Sequence, residues 1–393
     1  MITLEGRLEG AEAPPPASAG SRERYLDGLR AIAALHVTFS HTFMEIYPPE
    51  FGVRPQELWL RILTYEMSIS GLGVALLVVL SGYSLSLSAR RGGWRLRDGK
   101  AAFVARRARR LVPPYMVALA LSLLLSATLL SKETGTHWDA SVPFTTTDVV
   151  AHLLLLQDVL GDPYTISHPL WSIAVTWHIY LAFPLMLWAV RRYGVLRTAT
   201  IIVFFTAFIT LGTRGQNSLF AIRTAELYGA FMLGLAALEL TRAGGVVTLR
   251  GRTRRPPWVG IAVVLSLWSG LVNDDNHALL YVAMACLMVA VGTGGARPLR
   301  ALLEWRPLVW LGTISFSLYL VHGPIVHLVW LELLDPLGLG VGEPAALFAL
   351  FATAIPATIL VAWGFYHAVE RRTLSSRSRA RRDAEVQQAS PAS

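Results

Sequence analysis

Apolar stretches long enough to cross a membrane recur along the whole chain, separated by short polar segments. The ten stretches are residues 28–46, 69–88, 111–131, 169–190, 198–213, 224–241, 257–272, 277–294, 308–334 and 345–369. A membrane helix needs about 17–25 apolar residues, and most of the stretches reach or approach that length. One of them alone could be a buried helix of a soluble protein, but ten in series are typical of a polytopic membrane protein. The pattern therefore predicts an all-α integral membrane protein, a bundle of about ten transmembrane helices.

Composition agrees with this interpretation. The chain has 393 residues, of which 53% are hydrophobic and 16% charged, and its mean hydropathy is +0.47. Soluble globular proteins carry about 25% charged residues, so the deficit argues against a cytosolic enzyme and against a disordered protein. The single cysteine, Cys286, excludes an intramolecular disulfide and a multi-cysteine metal cluster.

Basic residues are concentrated in alternate loops. The net charge is +9, and most of the arginines fall in the segments 89–110, 191–197, 242–256 and 297–306 and in the C-terminal tail. The intervening loops are poor in basic residues: 132–168 contains only Lys132, and 335–344 contains none. The positive-inside rule then predicts a multi-pass protein of the cytoplasmic membrane with both termini in the cytoplasm. Because the lipid bilayer explains the charge distribution, no nucleic-acid partner is expected.

The chain divides into three segments. Residues 1–23 contain a proline cluster and several acidic residues ahead of any apolar stretch, which predicts a disordered cytoplasmic lead and not a signal peptide. Residues 24–373 form the predicted ten-helix membrane domain, and 374–393 form a basic and polar cytoplasmic tail. In the longest predicted outside segment, 149–160 could form a short interfacial helix.

The first predicted span contains ionisable residues that lipid should not tolerate. At 100° per residue, Arg30 and His41 lie about 20° apart on one helical face, separated by about 16 Å along the axis. Asp27 lies on the same face, whereas His36 points elsewhere. Ionisable residues inside a membrane usually mark a cavity or pathway, which makes Arg30 and His41 candidates for chemistry. The alternative is an arginine that reaches the membrane surface and a hydrogen-bonded structural histidine.

Two further spans carry polar stripes. In the ninth, Ser315, Tyr319 and His322 share a helical face, and the fourth contains the residues Trp171, Ser172, Thr176 and His178. Either stripe could serve interhelical hydrogen bonding and not chemistry. The intramembrane histidines would also permit a bis-histidine haem protein.

Several motifs in the order of the chain resemble the acyltransferase-3 family of membrane proteins. They are the Arg-x10-His pair Arg30 and His41 within a Tyr-Leu-Asp-Gly-Leu-Arg opening, Leu80–Tyr83, Arg107–Tyr115, Pro169–Val175, Leu311–Pro324 and Val369–Arg371. These matches span residues 25–372, and their order makes them far more specific than any single motif. Two residues depart from the family pattern, since Thr176 stands where the family usually has Glu and Arg372 replaces a closing Pro. If that Glu orients the catalytic imidazole or the acceptor, either activity is weakened in this chain or His178 substitutes for the Glu. Unlike in some family members, no esterase-like domain is expected after the last helix.

The resemblance implies an O-acyltransferase that moves an acyl group, most often acetyl from acetyl-CoA, to a hydroxyl of a carbohydrate or related acceptor. It places Arg30 and His41 in catalysis, with His41 acting as general base or as acyl carrier. The expected acyl-CoA-binding residues are Arg30, Arg107, Arg110 and Tyr115. The expected acceptor or cavity-lining residues are Ser81, Trp171, Ser172, His178, Ser315, Tyr319 and His322. Supporting roles are expected for Asp27, favoured as a helix N-cap over a partner of Arg30, and for Glu370.

Neither a metal site nor a permanently bound cofactor is expected, and acyl-CoA would act as co-substrate. The acceptor stays open between a surface polysaccharide, a cell-envelope glycan, a lipid-linked sugar and a macrolide, and so does the oligomeric state. Two other classes of function remain possible: a polytopic transporter, which inverted repeats would favour, and a haem-binding membrane protein.

Overall fold

The computed structural model of the chain describes residues 24–68, 71–213, 224–249, 252–272 and 278–374. The predicted N-terminal lead and nearly all of the predicted C-terminal tail lie outside the described residues. So does most of the loop around Asp274.

Most of the described residues are helical. The elements are α1 (Arg24–Ile46), α2 (Leu58–Leu63), α3 (Tyr65–Ser68), α4 (Leu72–Arg91), α5 (Gly99–Thr128), α6 (Thr146–Leu153), α7 (Trp171–Tyr193), α8 (Val195–Thr213), α9 (Ala225–Arg242), β1 (Val247–Leu249), β2 (Arg252–Arg254), α10 (Trp258–Val272), α11 (Ala278–Gly292), α12 (Arg297–Leu303), α13 (Arg306–Thr313), α14 (Ser315–Val329), α15 (Pro344–Phe365) and α16 (Arg371–Thr373). Short 3₁₀ helices cover Pro49–Phe51, His137–Ser141, His168–Leu170 and Asp335–Leu337, and π-helical turns follow α14 and α15.

Each of the ten apolar stretches coincides with at least one helix, which confirms an all-α membrane protein. Six helices of the described part are long and apolar enough to cross a bilayer: Leu72–Arg91, Gly99–Thr128, His168–Tyr193, Val195–Gly212, Ser315–Leu337 and Pro344–Thr373. A seventh is present if α11 and α12, which meet at a 93° bend, count as one span. The count of ten spans stays a prediction, because α1 and α9 carry charged residues and α10 is short. The cytoplasmic location of the termini also stays a prediction.

Helix α1 lies at the centre of the bundle and packs against α4, α13, α14 and α15. Two glycines permit this close packing. A Cβ at Gly28 would collide with the carbonyl of Leu303, and a Cβ at Gly312 would collide with the carbonyl of Asp27. Backbones that approach this closely are typical of helix interfaces in membranes, where small residues replace large apolar ones.

The large apolar side chains on the outside of the bundle form a lipid-facing surface. On α8, Phe204, Phe205 and Phe208 are 62–75% exposed, and α10 and α15 present Trp268 and Leu360 in the same way. A soluble monomer rarely exposes so continuous an apolar surface. A bilayer explains it, because hydrocarbon chains cover these side chains.

Polar contacts join neighbouring elements at each end of the bundle. At one end Arg90, at the end of α4, pairs with Glu239 of α9 at 3.1 Å, and the guanidinium of Arg300 stacks on Tyr25 at the start of α1. At the other end the last turn of α1 meets the loop before α15, where Gly342 donates a backbone hydrogen bond to Ile46. Arg90 and Arg300, from two of the arginine-rich segments, therefore lie at one end of the bundle, and the alternation of basic loops across the membrane stays a prediction.

Two local elements differ from the sequence-based expectation. The antiparallel pair β1 and β2 lies in the basic segment 242–256, which was expected to be a plain loop. The short helix expected at 149–160 begins earlier and ends at Leu153, because Thr145 and Asp148 form a capping box that fixes its first turn. Burial raises the pKa of the Asp148 carboxyl, but hydrogen bonds from Thr145 and Asp162 outweigh it and hold that pKa below its usual range.

Candidate active site

A cavity of about 730 Å³ opens at the arginine-rich end of the bundle. Its walls come from α1, α4, α5, α7, α9 and α14. Six arginines line it: Arg30, Arg91, Arg106, Arg107, Arg109 and Arg110. The three arginines expected to bind the donor are among them. We call this space the arginine cavity.

Arg107 is held in place within this cavity by aromatic rings. Its guanidinium carbon lies 5.5 Å from the ring centroid of Phe103 and 5.7 Å from that of Tyr180. Its Nε is buried and has no hydrogen-bond partner among the described residues. A planar guanidinium that packs against aromatic rings keeps the N–H donors in its plane available for a ligand. The paired N–H groups of a guanidinium match the oxygens of a phosphate especially well.

Arg30 is anchored differently. It forms an ion pair with Asp27, one turn earlier on α1, and donates a 2.9 Å hydrogen bond to the Ser84 hydroxyl. This corrects the expectation for Asp27, which was interpreted as an N-cap. Helix α1 already begins at Arg24, so Asp27 lies inside its first turn, fully buried. A buried carboxylate needs a partner, and Arg30 supplies it.

The inner wall of the arginine cavity is made by hydroxyl groups. Ser172 and Tyr319 line it and share a 2.7 Å hydrogen bond, and the Tyr319 hydroxyl also donates to the carbonyl of Pro169 at 3.1 Å. Ser81 and Ser315 also line the cavity, but their hydroxyls donate to backbone carbonyls of their own helices or the adjoining turn. The predicted polar face of the ninth span thus contributes Tyr319 and Ser315 to the wall.

Besides Asp27, His41 and His322, four of the predicted residues lie away from this lining. Tyr115 is fully buried, donates to the carbonyl of His152 at 2.9 Å and accepts from a buried glutamine, which suits a structural role. His178 pairs with Asp158 at 3.0 Å. Trp171 contacts a tyrosine ring edge-on. Glu370, also buried, accepts a 2.7 Å hydrogen bond from Ser317 and so ties α14 to the end of α15.

Behind Tyr319, four histidine rings form one cluster. The Tyr319 ring centroid lies 5.6 Å from that of His322, which lies 4.9 Å from that of His41. His41 in turn lies 5.2 Å from both His137 and His168, and these two rings are 4.5 Å apart. His41 and His322 were expected in the site, whereas His137 and His168 were not. We call these four residues the histidine cluster.

Short 3₁₀ helices between α5 and α7 place the two additional histidines. His137 begins one of them, whose N-cap Thr136 accepts a hydrogen bond from the backbone of Trp138. His168 begins the other, and its backbone amide donates to the Ser141 hydroxyl at 3.1 Å. Both helices therefore fold back over the end of α1. No periodic pattern signals such a loop. The segment 132–168 also contains a third histidine, His152, so residue type alone does not single out His137 and His168.

Glu50 orients the ring of His137. Its carboxylate oxygen lies 2.8 Å from Nδ1 of His137, whose side chain is only 5% exposed. Burial acts to raise the pKa of the Glu50 carboxyl, but the hydrogen bond and charge of His137 outweigh it and lower that pKa below its usual value. An ionised carboxylate accepts, so Nδ1 of His137 carries the proton and Nε2 keeps its lone pair.

His36 lies outside the histidine cluster. Its Nδ1 is 3.5 Å from the Ser40 hydroxyl, and the ring lies against Gly73 of α4. The helical arithmetic that separated His36 from His41 is therefore consistent with the structure. The same arithmetic connected Arg30 to His41, and the structure places the rings of Tyr319, on the wall of the arginine cavity, and His322 between that cavity and His41.

Comparisons with known proteins agree with the motifs. The family model described as "Acyltransferase domain" matches residues 23–367. The chain is also similar to "Acyltransferase MdmB" of Streptomyces mycarofaciens, with 27% identity over 364 residues that cover 88% of this chain and 89% of that protein. No solved structure matches. The chain therefore belongs to the acyltransferase-3 family and is an enzyme that transfers acyl groups.

Proposed function

We propose that the chain is a membrane O-acyltransferase. It moves an acyl group from acyl-CoA to a hydroxyl of a carbohydrate, a cell-envelope glycan or a macrolide-type acceptor, and acetyl is the acyl group we favour. The observation that carries this proposal is the arrangement of the arginine cavity and the histidine cluster. The arginine cavity presents guanidinium groups suited to an anion at one end of the bundle. The histidine cluster offers imidazole nitrogens behind the inner wall of that cavity.

The arginine cavity suits the donor because of its charge. Coenzyme A carries a pyrophosphate and a ribose phosphate, and guanidinium groups bind phosphate oxygens through paired hydrogen bonds. Arg107 and Arg110 lie on one side of the cavity and Arg30 on another, so they can hold phosphates while the pantetheine arm extends inward. The thioester then arrives at the wall that Ser172 and Tyr319 form.

His41 suits the chemical step. As general base, its neutral imidazole takes the proton of the acceptor hydroxyl while the oxygen attacks the thioester carbonyl. The C–S bond breaks, an ester forms, and the imidazolium returns the proton to the departing thiolate. As acyl carrier, the imidazole would instead attack the thioester and pass the acyl group on in a second step. Trapping of acyl-enzyme in the absence of acceptor separates the two routes.

The loop side of the histidine cluster suits the acceptor. Tyr164 stacks on His168 with ring centroids 4.4 Å apart and meets Trp171 edge-on, so aromatic rings flank the histidine cluster at His168. Aromatic rings of this kind bind the apolar faces of sugars and other ring systems while neighbouring polar groups hold the hydroxyls. Donor and acceptor would then approach His41 from opposite ends.

Labelled acetyl-CoA given to membranes that contain the protein tests the proposal. The expected result is covalent label on a hydroxyl-bearing glycan, sugar or macrolide, which is absent with His41→Ala at matched amounts of inserted protein. Label on an amine or thiol of the product would contradict an O-acyltransferase. Vectorial uptake of an unmodified substrate would favour the transporter that the sequence alone left open.

A further inference from the structure

The histidine cluster contains a group of nitrogen atoms that the proposed acyl transfer does not require. His41, His137 and His168 come from three separate elements, and one ring nitrogen of each lies within 4.8 Å of the others. Acyl transfer by a general base needs a single imidazole. Two loop histidines aimed at the same point therefore call for another explanation.

Two of the three histidines have a ring nitrogen that is buried and lacks a partner. Nε2 of His137 and Nδ1 of His168 are both buried and have no hydrogen-bond partner among the described residues. A buried polar atom without a partner is costly, so it marks a site for something that binds it. Between the rings lies a space of about 10 Å³, which is roughly that of one water molecule or one ion.

The surroundings have the features of a metal site. His137 is held by the Glu50 carboxylate through its other ring nitrogen, which is the arrangement that orients most metal-binding histidines. Glu45 also lines the small space. One of its carboxylate oxygens lies 2.5 Å from Nδ1 of His327, and its negative charge would help to balance that of a cation in the space. Three imidazoles select zinc and similar transition metals over magnesium or calcium, which prefer oxygen ligands.

We propose that His41, His137 and His168 bind a divalent transition-metal ion of the zinc class. Zinc binds histidine nitrogen at about 2.0–2.1 Å, so two ligands of a tetrahedral ion lie about 3.4 Å apart, and small rotations of the rings bring the three nitrogens to that spacing. The sequence alone predicted no metal site, since two of the three ligands lie in a loop without a metal-binding motif.

The bound ion has a consequence for catalysis, and this part rests on the proposed function of His41. A nitrogen that coordinates a metal has no lone pair left to accept a proton or an acyl group. Metal binding and acyl transfer therefore exclude each other, and zinc is an inhibitor of this enzyme. The site would couple acyl transfer to the free metal concentration at the loop side of the bundle.

Cobalt titration of the full chain tests the metal site directly. The protein is purified in detergent through a tag without histidine, freed of metal by chelator, and titrated with Co²⁺. We expect one equivalent to give the visible absorption of tetrahedral cobalt, and Zn²⁺ to displace it. His137→Gln and His168→Gln should each weaken binding about 100-fold or more, and Glu50→Gln about 10–100-fold, as for other residues that orient a ligand.

His36→Gln is the matched control, since it changes another histidine of α1 outside the histidine cluster and should bind cobalt like the parent chain. A parent chain without saturable absorption, or His137→Gln and His168→Gln variants with unchanged affinity, would overturn the site. Thermal unfolding in detergent checks that the variants are folded, and zinc should raise the unfolding temperature of the parent chain but not of these two.

The inhibitory part has its own readout. Zinc should lower acyl transfer with the midpoint found for zinc binding, and chelator should restore it. Transfer that is unchanged or faster at saturating zinc would overturn the inhibition while the cobalt result stands by itself. If no acceptor is acylated at all, the proposed function fails, and the binding data still decide the metal site.

Discussion

At the scale of single residues, we expect His41 to decide whether the enzyme turns over. Its ring contacts three other histidines, and it holds the histidine position of the Arg-x10-His motif. We expect His41→Ala to lose about 10²–10⁴-fold in rate, the range for removal of a general base, while acyl-CoA binding is kept. The measurement is acyl transfer per folded molecule with labelled acetyl-CoA.

His36→Ala is the internal control for that experiment. His36 lies against α4 and outside the histidine cluster, so this variant should keep most of the activity. Near-normal turnover of His41→Ala, or a well-folded but inactive His36→Ala, would show that the wrong face of α1 has been assigned.

Arg107 provides a second test at this scale. Its guanidinium lies between two aromatic rings and lines the arginine cavity, so it should bind a donor phosphate without rearrangement. Arg107→Ala is expected to weaken acyl-CoA binding by about 1.5–3 kcal/mol, the usual contribution of a hydrogen bond to a charged group. Equilibrium dialysis with labelled acyl-CoA measures the change.

Arg97→Ala makes the same change of charge at an exposed position of the 89–110 segment that does not line the cavity. Its donor affinity should match that of the parent chain at moderate ionic strength. Equal losses in both variants would mean that the arginines act only through the overall field of this end of the protein.

At the scale of elements, the α4–α9 pair depends on glycine. A Cβ at Gly82 would meet the carbonyl of Phe231, and a Cβ at Gly234 would meet the carbonyl of Val79, so each helix offers a glycine to the backbone of the other. Gly82→Ala should push the two helices apart. The free energy of unfolding should fall by about 1–3 kcal/mol, as for other overpacked sites, and the unfolding temperature in detergent should fall with it.

Gly364→Ala is the matched control for that change. This residue lies near the end of α15, and a Cβ there would meet nothing within 4 Å. Since alanine favours a helix over glycine, its stability should be unchanged or slightly raised. Equal destabilisation by Gly82→Ala and Gly364→Ala would contradict the close crossing of α4 and α9.

At the scale of the whole molecule, orientation in the membrane is the open question. Arg90 and Arg300, from two of the arginine-rich segments, lie at one end of the bundle, and the positive-inside rule assigns that end to the cytoplasm. We expect a cysteine at Asp274, which lies outside the described residues, to react only with reagent added from the other side.

The chain offers a simple background for this labelling, because Cys286 is its single cysteine and is buried in α11. The native thiol is replaced in Cys286→Ala, after which Asp274→Cys and the exposed Arg97→Cys are compared in intact cells and in opened membranes. Labelling of both positions from the same side would reject the ten-helix topology.

The sequence by itself determined the properties that depend on neighbours along the chain. Hydrophobic stretches and alternating basic loops predicted a polytopic helical protein, because each span must satisfy its own backbone hydrogen bonds in lipid. Helical periodicity placed Arg30 and His41 on one face of α1 and His36 on another. The ordered motifs predicted the family, which the family match confirms.

Tertiary structure alone decided the properties that depend on chain segments meeting in space. The loop histidines His137 and His168 reach His41 only because two 3₁₀ helices fold over the end of α1. Nor does periodicity reveal which predicted residues line a cavity: Tyr115 and His178 are turned to partners elsewhere. Asp27 pairs with Arg30 because α1 begins before it and buries it, and a buried carboxylate takes the nearest cation.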